Sequence, residues 1–244
     1  MGVEKTVTEA IAYRRSVRIY KPENEIDTKL VKNCLENAVL APTSSNLQLW
    51  EFYHITNKEI KKKISSACFD QPAAKTAKQL VVIVVRKDLW SKRAKDNLSF
   101  LMKSFGDKPF EEYDSREKFA LSYYKKLIPT LYIEFFGILG LIRYVVFNII
   151  GLFKPAYRQL RKSDMRIVAH KSAALAAQNF MISMAAIGYD TCPMEGSDTL
   201  RIKRILNLPH GAEINMVIAC GIRDPKGVYG PRFRIPFHEV YKEI

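Results

Sequence analysis

The sequence predicts an α+β fold in which a mixed central sheet is flanked by helices. Three observations support this. "LVVIVV" (80–85) and "INMVIACG" (214–221) are continuous apolar, β-branched-rich runs of the kind strands need when both faces are covered. Ile167 to Ile187 is long, Ala-rich and apolar nearly all round, as a central helix should be. Strands and helices interleave without a repeated βαβ period or an internal repeat. The 244 residues suffice for a sizeable core, and we read 1–244 as a single domain carrying an insertion at 88–165.

The elements follow in order. Thr6 and Glu9 have capping-box spacing, which starts a first helix that runs to about Arg14, where the basic run "RRSVR" ends it. Asp27 is placed to cap a second helix. Its Leu30, Val31, Cys34, Leu35, Ala38 and Val39 share one face, and Pro42 stops it. "WEFYHI" (50–55) reads as a strand, and Ile60 to Ala67 as a short helix with a basic face. After the Ala-rich helix Gly188 supplies a stop, and a short extended piece leads into "PMEG" (193–196).

The segment 88–165 is unlike the rest. Its first part is charged and helical in pattern; 127–153, "LIPTLYIEFFGILGLIRYVVFNIIGLF", is apolar and helical. Glu134 and Arg143 divide it into blocks shorter than the roughly 20 apolar residues a membrane span needs. Lys125 and Lys126 precede it, and Lys154, Arg158, Arg161, Lys162, Arg166 and Lys171 follow. Two readings stand side by side. One is an interfacial anchor on an anionic membrane surface through 127–171; the other is a core or dimer-interface helix pair broken at Gly137 and Gly140.

A formal net charge of +14 favours anionic partners without choosing among them. Nucleic acid is not expected, because the cations are scattered and no recognised binding pattern appears. The four cysteines form no C-x-x-C pair, and His54, His170, His210 and His238 lack ligand spacing, so no metal site is predicted. Met1 to Ile11 has no apolar h-region, which leads us to expect a cytoplasmic setting, with peripheral attachment to the membrane's cytoplasmic face as the variant.

Four clusters fall at element edges, where functional loops concentrate: "RRSVR" (14–18), "PTSSNLQ" (42–48), "PMEG" (193–196) and "PRFR" (231–234). Arginines bind phosphate bidentately. Ser and Asn offer both donors and acceptors to a polar ring edge, and Pro-x-x-Gly brings backbone amides close to a planar ligand. The inventory suits a flat, phosphorylated cofactor such as FMN. Taken singly, Arg14, Arg15 and Arg18 also fit a solvated helix end.

These motifs, with the terminal "PRFRIPFHEVY", occur in an order that resembles the nitroreductase superfamily of FMN flavoproteins, over roughly 4–86 and 166–244. The resemblance implies a homodimer with FMN at the subunit interface. It places Arg14, Arg15, Ser16 and Arg18 at the ribityl phosphate and the pyrimidine side, with Arg232 and Arg234 completing the phosphate cradle. It brings Pro42, Thr43, Ser44 and Asn46 from the partner subunit, and sets Gln71 at the pyrimidine edge. Pro193, Met194, Glu195 and Gly196 line the other flavin face, with Glu195 and Gly196 the candidate catalytic positions through backbone amides near N5. The implied activity is hydride transfer from NAD(P)H through flavin N5 to an electron-poor acceptor (nitroaromatic, quinone or activated alkene) with ping-pong kinetics. A lipophilic or aromatic acceptor suits the apolar insertion.

The alternatives are reduced-flavin/oxygen chemistry or reductive dehalogenation on the same fold, and a non-enzymatic basic protein of the membrane surface. The family's Pro between Gln48 and Trp50 is replaced here by Leu49, so that turn is expected to differ slightly. His170 reads as a core or interface residue rather than a base, and Trp50 and Trp90 as packing residues. Tyr123, Tyr124, Tyr132 and Phe135 read as a core stripe, with a substrate mouth as the alternative.

Overall fold

Local signals set most element ends. The computed structural model of the chain describes residues 4–106 and 108–244, so the first three residues of the 1–11 reading lie outside it. α1 (Val7–Tyr13) has the Thr6/Glu9 capping box, and α2 (Thr28–Ala38) is capped by Asp27, whose carboxylate accepts from the Lys29 N–H. Val31, Cys34, Leu35 and Ala38 are the buried face of α2, as the spacing predicts, while Val39 is exposed. β1 (Trp50–Ile55) is followed by α3 (Lys58–Ala67), which starts two residues early because the Asn57 side chain caps it. α4 (Pro72–Thr76) leads into β2 (Gln79–Val85). α9 (Lys162–Ala186) starts five residues before the expected Ile167; the Asp164 carboxylate accepts from the Arg161 N–H and caps the extra turn. β3 (Asp190–Met194), α10 (Thr199–Ile205) and β4 (Glu213–Gly221) follow.

The sheet order is β1-β2-β4-β3, and every named pair is antiparallel. The expected mixed character reduces to one isolated parallel bridge, Ser16 to Thr191. A β-branched run encodes burial, not direction. Here α3 and α4 in succession return the chain to the end of the sheet where β1 finished, so β2 runs back along it.

Both central strands are covered on two faces. Val81, Ile83 and Val85 of β2, with Met216, Ile218 and Cys220 of β4, pack under α2 and α9. Leu80, Val82 and Val84, with Val217 and Ala219, pack on the layer that contains α3, α4 and α10. The register slips between Ile83 and Val84, opposite Asn215. That bulge turns Asn215 toward α9, where its amide approaches His170 Nδ1 at 3.1 Å. Nε2 of His170 meets Glu213 at 3.2 Å, so the histidine links α9 to both Asn215 and Glu213 of β4. α9, about 38 Å long, crosses this face and buries Ala173, Ala176, Ala177, Phe180 and Met184.

Residues 88–165 contain α5 (Trp90–Phe105), α6 (Ser115–Ser122), a π turn (Tyr123–Leu127), α7 (Ile128–Tyr132) and α8 (Ile138–Ile150), and their last four residues already belong to α9. The apolar run breaks at Gly137, where φ is 87°, but α8 continues through Gly140. Gly140 is a packing position rather than a break: a Cβ there would lie 3.0 Å from the Lys162 backbone nitrogen. Glu134 and Arg143, which divide the run in sequence, pair with each other, and Arg143 also donates to the carbonyls of Thr130 and Ile133 at 2.8 and 2.9 Å. Among the described residues no helix is long and apolar enough to cross a membrane. The outer face of α8 nonetheless leaves Leu141, Ile142, Val145, Val146 and Ile149 exposed. Residues 229–244, including α11 (Phe237–Val240), are exposed throughout.

Candidate functional site

α1 ends at Tyr13, and the chain then runs extended beside β3: Ser16 bridges Thr191, and the Val17 N–H donates to the Thr191 carbonyl at 3.1 Å. Arg223 pins this segment from behind. Its backbone N–H and Nε donate to the buried Asp190 carboxylate, both at 2.8 Å, its Nη2 donates to the same carboxylate and to the Tyr13 carbonyl, and its guanidinium lies 4.1 Å from the Tyr13 ring centroid. The C-terminal strap closes over the front. Arg232 donates to the carbonyls of Ala12 at 2.8 Å and Arg14 at 2.6 Å, and Arg15 donates back to Gly230 at 2.9 Å.

The result is a cavity of about 160 Å³ lined by Arg14, Arg15, Ser16, Arg18, Tyr229, Arg232 and Arg234 among others, with no carboxylate in its wall. The two arginine sets, more than 200 residues apart in sequence, converge within one chain. The Arg14 guanidinium is pulled below its ordinary value, first by burial and then by Arg232 and Arg234. Five cations face one small space, and each raises the potential felt by the others, which favours an anion there. Burial raises the Cys192 thiol, and the neighbouring Arg18 and Arg14 oppose that rise, so the end of β3 feels the same field. β3 leads directly into Glu195 and Gly196, both exposed. Gln71 reaches this loop and donates to the Gly196 carbonyl at 2.8 Å.

The 42–48 loop sits elsewhere on the chain. Ser45, Asn46 and Gln48 all have positive φ (53°, 48° and 48°), a conformation that costs energy outside glycine and collects at functional sites. The loop is held from several sides. Thr43 Oγ1 accepts from the Gln48 N–H at 3.2 Å, Ser172 Oγ accepts from the Ser44 N–H at 3.3 Å, and Asn97 bridges the side chain and carbonyl of Asn46 at 2.8 and 3.0 Å. Tyr123 OH and Ser45 Oγ are 2.7 Å apart, and Tyr124 OH donates to the Ser45 carbonyl at 3.0 Å. Tyr123 and Tyr124 pack against the core and Tyr132 is buried in it, as the stripe predicts, whereas Phe135 is exposed. The phenols of Tyr123 and Tyr124 also tie residues 88–165 to this loop, which only the tertiary contact reveals. Leu49 is buried in the core. The arginine cavity and the cavity that includes Ser44 share no lining residue. Among the described residues no group of acids, histidines and cysteines has the geometry of a metal site.

The Nitroreductase family model matches residues 11–222, which takes in the sheet, α9 and all of 88–165. The chain belongs to the nitroreductase family. Among its relatives is MhqN of Bacillus subtilis, named as an NAD(P)H nitroreductase, 24% identical over 229 residues that cover 92% of this chain and 94% of that one. The solved structure of ydfN from Bacillus subtilis, itself assigned to the nitroreductases, superposes with a TM-score of 0.73 at 24% identity, covering 97% of this chain and 98% of that one. A nitroreductase from Exiguobacterium sibiricum solved in complex with FMN gives 0.67 at 20% identity, covering 100% and 99%. Likenesses at these identities carry the nitroreductase fold: α+β, with an antiparallel four-stranded sheet between helices.

Proposed function

We propose that this chain is an FMN-dependent oxidoreductase that uses NAD(P)H. The observation that supports it best is the arginine cavity. Its size, its five guanidiniums, the Ser16 position and the absence of any carboxylate from its wall fit a phosphomonoester tail. The FMN complex of a relative and the NAD(P)H name of another point the same way. In this reading 1–244 works as one unit with 88–165 inserted in it.

When bound, FMN would supply the two-electron chemistry at N5, taking hydride from NAD(P)H and delivering it to a nitroaromatic, quinone or activated alkene in ping-pong fashion. The residues of the chain bind and orient. Arg14, Arg15, Arg18, Arg232 and Arg234 would hold the phosphate, and Ser16 its adjoining oxygens. Gln71 fixes the Gly196 carbonyl, which steadies the turn from Pro193 through Met194 to Glu195 and Gly196, whose last two residues would offer their backbone N–H groups. The net charge of +14 draws in the anionic dinucleotide, so turnover should fall as salt rises. We also propose a homodimer in which Pro42, Thr43, Ser44 and Asn46 meet the partner's flavin. The exposed Phe233, Ile235, Phe237 and Tyr241 of the C-terminal strap support a second copy as their cover.

The exposed apolar face of α8, with Lys154, Arg158, Arg161 and Lys162 close by in sequence, supports peripheral association with an anionic lipid surface. Co-sedimentation with anionic vesicles tests this, and equal recovery in the supernatant with and without vesicles would remove it.

The deciding experiment for the flavin reading is a visible spectrum of the purified protein, followed by anaerobic addition of NADH and NADPH. A yellow preparation bleached by either nucleotide is expected. A colourless protein that takes up no FMN on titration refutes the reading; flavin that neither nucleotide bleaches moves the protein to the non-nicotinamide chemistries of the same fold.

A further inference from the structure

A second strongly basic cleft lies outside the arginine cavity and shares no lining residue with it. Its volume is about 590 Å³, and it lies between residues 19–25, the start of α3, the end of α4 and the turn at Asp224. Four lysines line it: Lys58 and Lys61 from one face of α3, Lys75 from α4, and Lys78 just before β2. Two of them are fixed. Lys61 Nζ donates to the carbonyls of Ala77 at 2.8 Å and Lys78 at 3.2 Å. Lys78 Nζ donates to the Pro22 carbonyl and, at 3.0 Å, to Glu25. An ammonium has three donors, so each keeps one N–H for a ligand. Lys58 and Lys75 are exposed, and their side chains make no hydrogen bond or ion pair among the described residues. Burial pulls the Lys61 ammonium below its ordinary value; Glu25 opposes that, and Lys78 and Lys58 add to it. The fold thus holds a partly buried cation near two others at a cost that an anion would offset.

We propose that this cleft is a second anion site and that its ligand carries a phosphate chain, a diphosphate or longer. The cleft has more than three times the volume of the arginine cavity, which suits several phosphate units rather than one. Its cations are lysines, point charges on flexible stems that can follow a chain, where the arginine cavity has planar forks. Glu25 and Asp224 are the carboxylates in its wall. Asp224 is occupied within its own turn, where Oδ1 accepts from the Lys226 N–H at 2.8 Å. Glu25 has a side chain 79% exposed, so it can turn to water and free a second N–H of Lys78. The cations still outnumber the carboxylates, and a ligand with several negative charges balances that surplus better than one phosphate does. Free phosphate chains and the diphosphate of a nucleotide share this chemistry, and the assay separates them. The basic face of α3 thereby has a use outside the flavin site, and the assignment stands independently of the flavin reading.

The test is calorimetric titration of the full chain in magnesium-free buffer, with FMN in excess to keep the arginine cavity filled. The probes are inorganic phosphate, diphosphate, tripolyphosphate and ADP. Diphosphate and tripolyphosphate should bind saturably, at least about tenfold more tightly than phosphate, and leave the flavin spectrum unchanged. ADP bound at least as tightly as diphosphate identifies a nucleotide as the source; weaker ADP identifies a free phosphate chain. Lys61→Gln, and the double variant Lys58→Gln with Lys75→Gln, should each weaken diphosphate at least about tenfold. The double variant removes no internal hydrogen bond among the described residues, so it reads the site even if Lys61→Gln perturbs the fold. Lys62→Gln, on α3 but outside the cleft, should weaken it less than about twofold. No saturable binding, phosphate bound as tightly as diphosphate, or an equal loss in Lys62→Gln overturns the proposal. If the protein takes up no FMN, the lysine variants still tell the cleft from the arginine cavity, because none of these lysines lines that cavity.

Discussion

Replacing Arg14 by glutamine separates what the arginine cradle costs from what it gains. Among the described residues the Arg14 guanidinium donates no hydrogen bond, and burial together with Arg232, Arg234 and Arg15 holds it below its ordinary value. Its charge is therefore disfavoured in the folded chain before any anion arrives. In FMN-free protein Arg14→Gln should melt at or above the temperature of the native sequence. With FMN the sign reverses. A charge-assisted hydrogen bond to phosphate contributes about 1.5–3 kcal/mol, so the variant should bind FMN roughly 10- to 140-fold more weakly. At FMN 100-fold above the native Kd, ligand binding stabilises the native chain by about 2.7 kcal/mol. That is about 5–11 °C in a protein of this size. The same FMN concentration gives the variant only about 0.3–1.4 kcal/mol, or about 1–6 °C. Paired thermal melts with and without FMN, and fluorescence titration of flavin, read both numbers. A variant that binds FMN as tightly as the native chain, or whose FMN-free form melts well below it, refutes the claim that five cations wait there for an anion.

Arg223→Leu strands the buried Asp190 carboxylate and should cost about 3–5 kcal/mol, seen as a melting temperature lower by roughly 6–20 °C; a loss below about 1 kcal/mol would mean that water reaches Asp190. Gly140→Ala puts a Cβ 2.6 Å from Glu134 Oε1 and 3.2 Å from the Arg161 Cα, so α8 must move off the start of α9. We expect about 1–3 kcal/mol of local destabilisation, faster amide exchange through α7 and α8, and an unchanged flavin spectrum; unaltered exchange would count against close packing there. Burial pushes the Glu213 carboxyl up, but hydrogen bonds from Arg166 and His170 outweigh it and leave the group below its ordinary 4.5. A depressed carboxyl stabilises the fold above its unfolded value and loses that contribution as pH falls through the folded one. Glu213→Gln should therefore flatten the acid side of the stability profile below about pH 4.5, and an acid limb identical to the native one would show that the Arg166 pair is too exposed to matter.

The candidate site was legible where its parts are short and local. The basic run after α1, the small polar run after α2 and the Pro-Met-Glu-Gly turn each stand out by composition, and each lies at an element end in the folded chain. What composition missed was use. Tyr123 and Tyr124 have the spacing of core aromatics, yet their phenols serve the 43–46 loop. Glu134 and Arg143 read as interruptions of an apolar run, yet they neutralise each other and satisfy the carbonyls at the end of α7. A side chain's partner is a property of two segments, and neither one specifies it alone.

By itself the sequence determined most of the elements, the caps of α1 and α2, the two-sided burial of β2 and β4, and the family motifs; it missed α4, α10 and the Asn57 and Asp164 caps that start α3 and α9 early. The features it determined depend on hydrogen bonds and apolar periods that span a few residues, so the local chain is enough to set them. Only the tertiary structure decided that the strands run antiparallel, that α8 turns its apolar face outward, and that Arg14 and Arg232, 218 residues apart, share one cavity. Each of these requires distant segments to meet, and the entropy lost in closing those loops is repaid only when the whole core assembles around them.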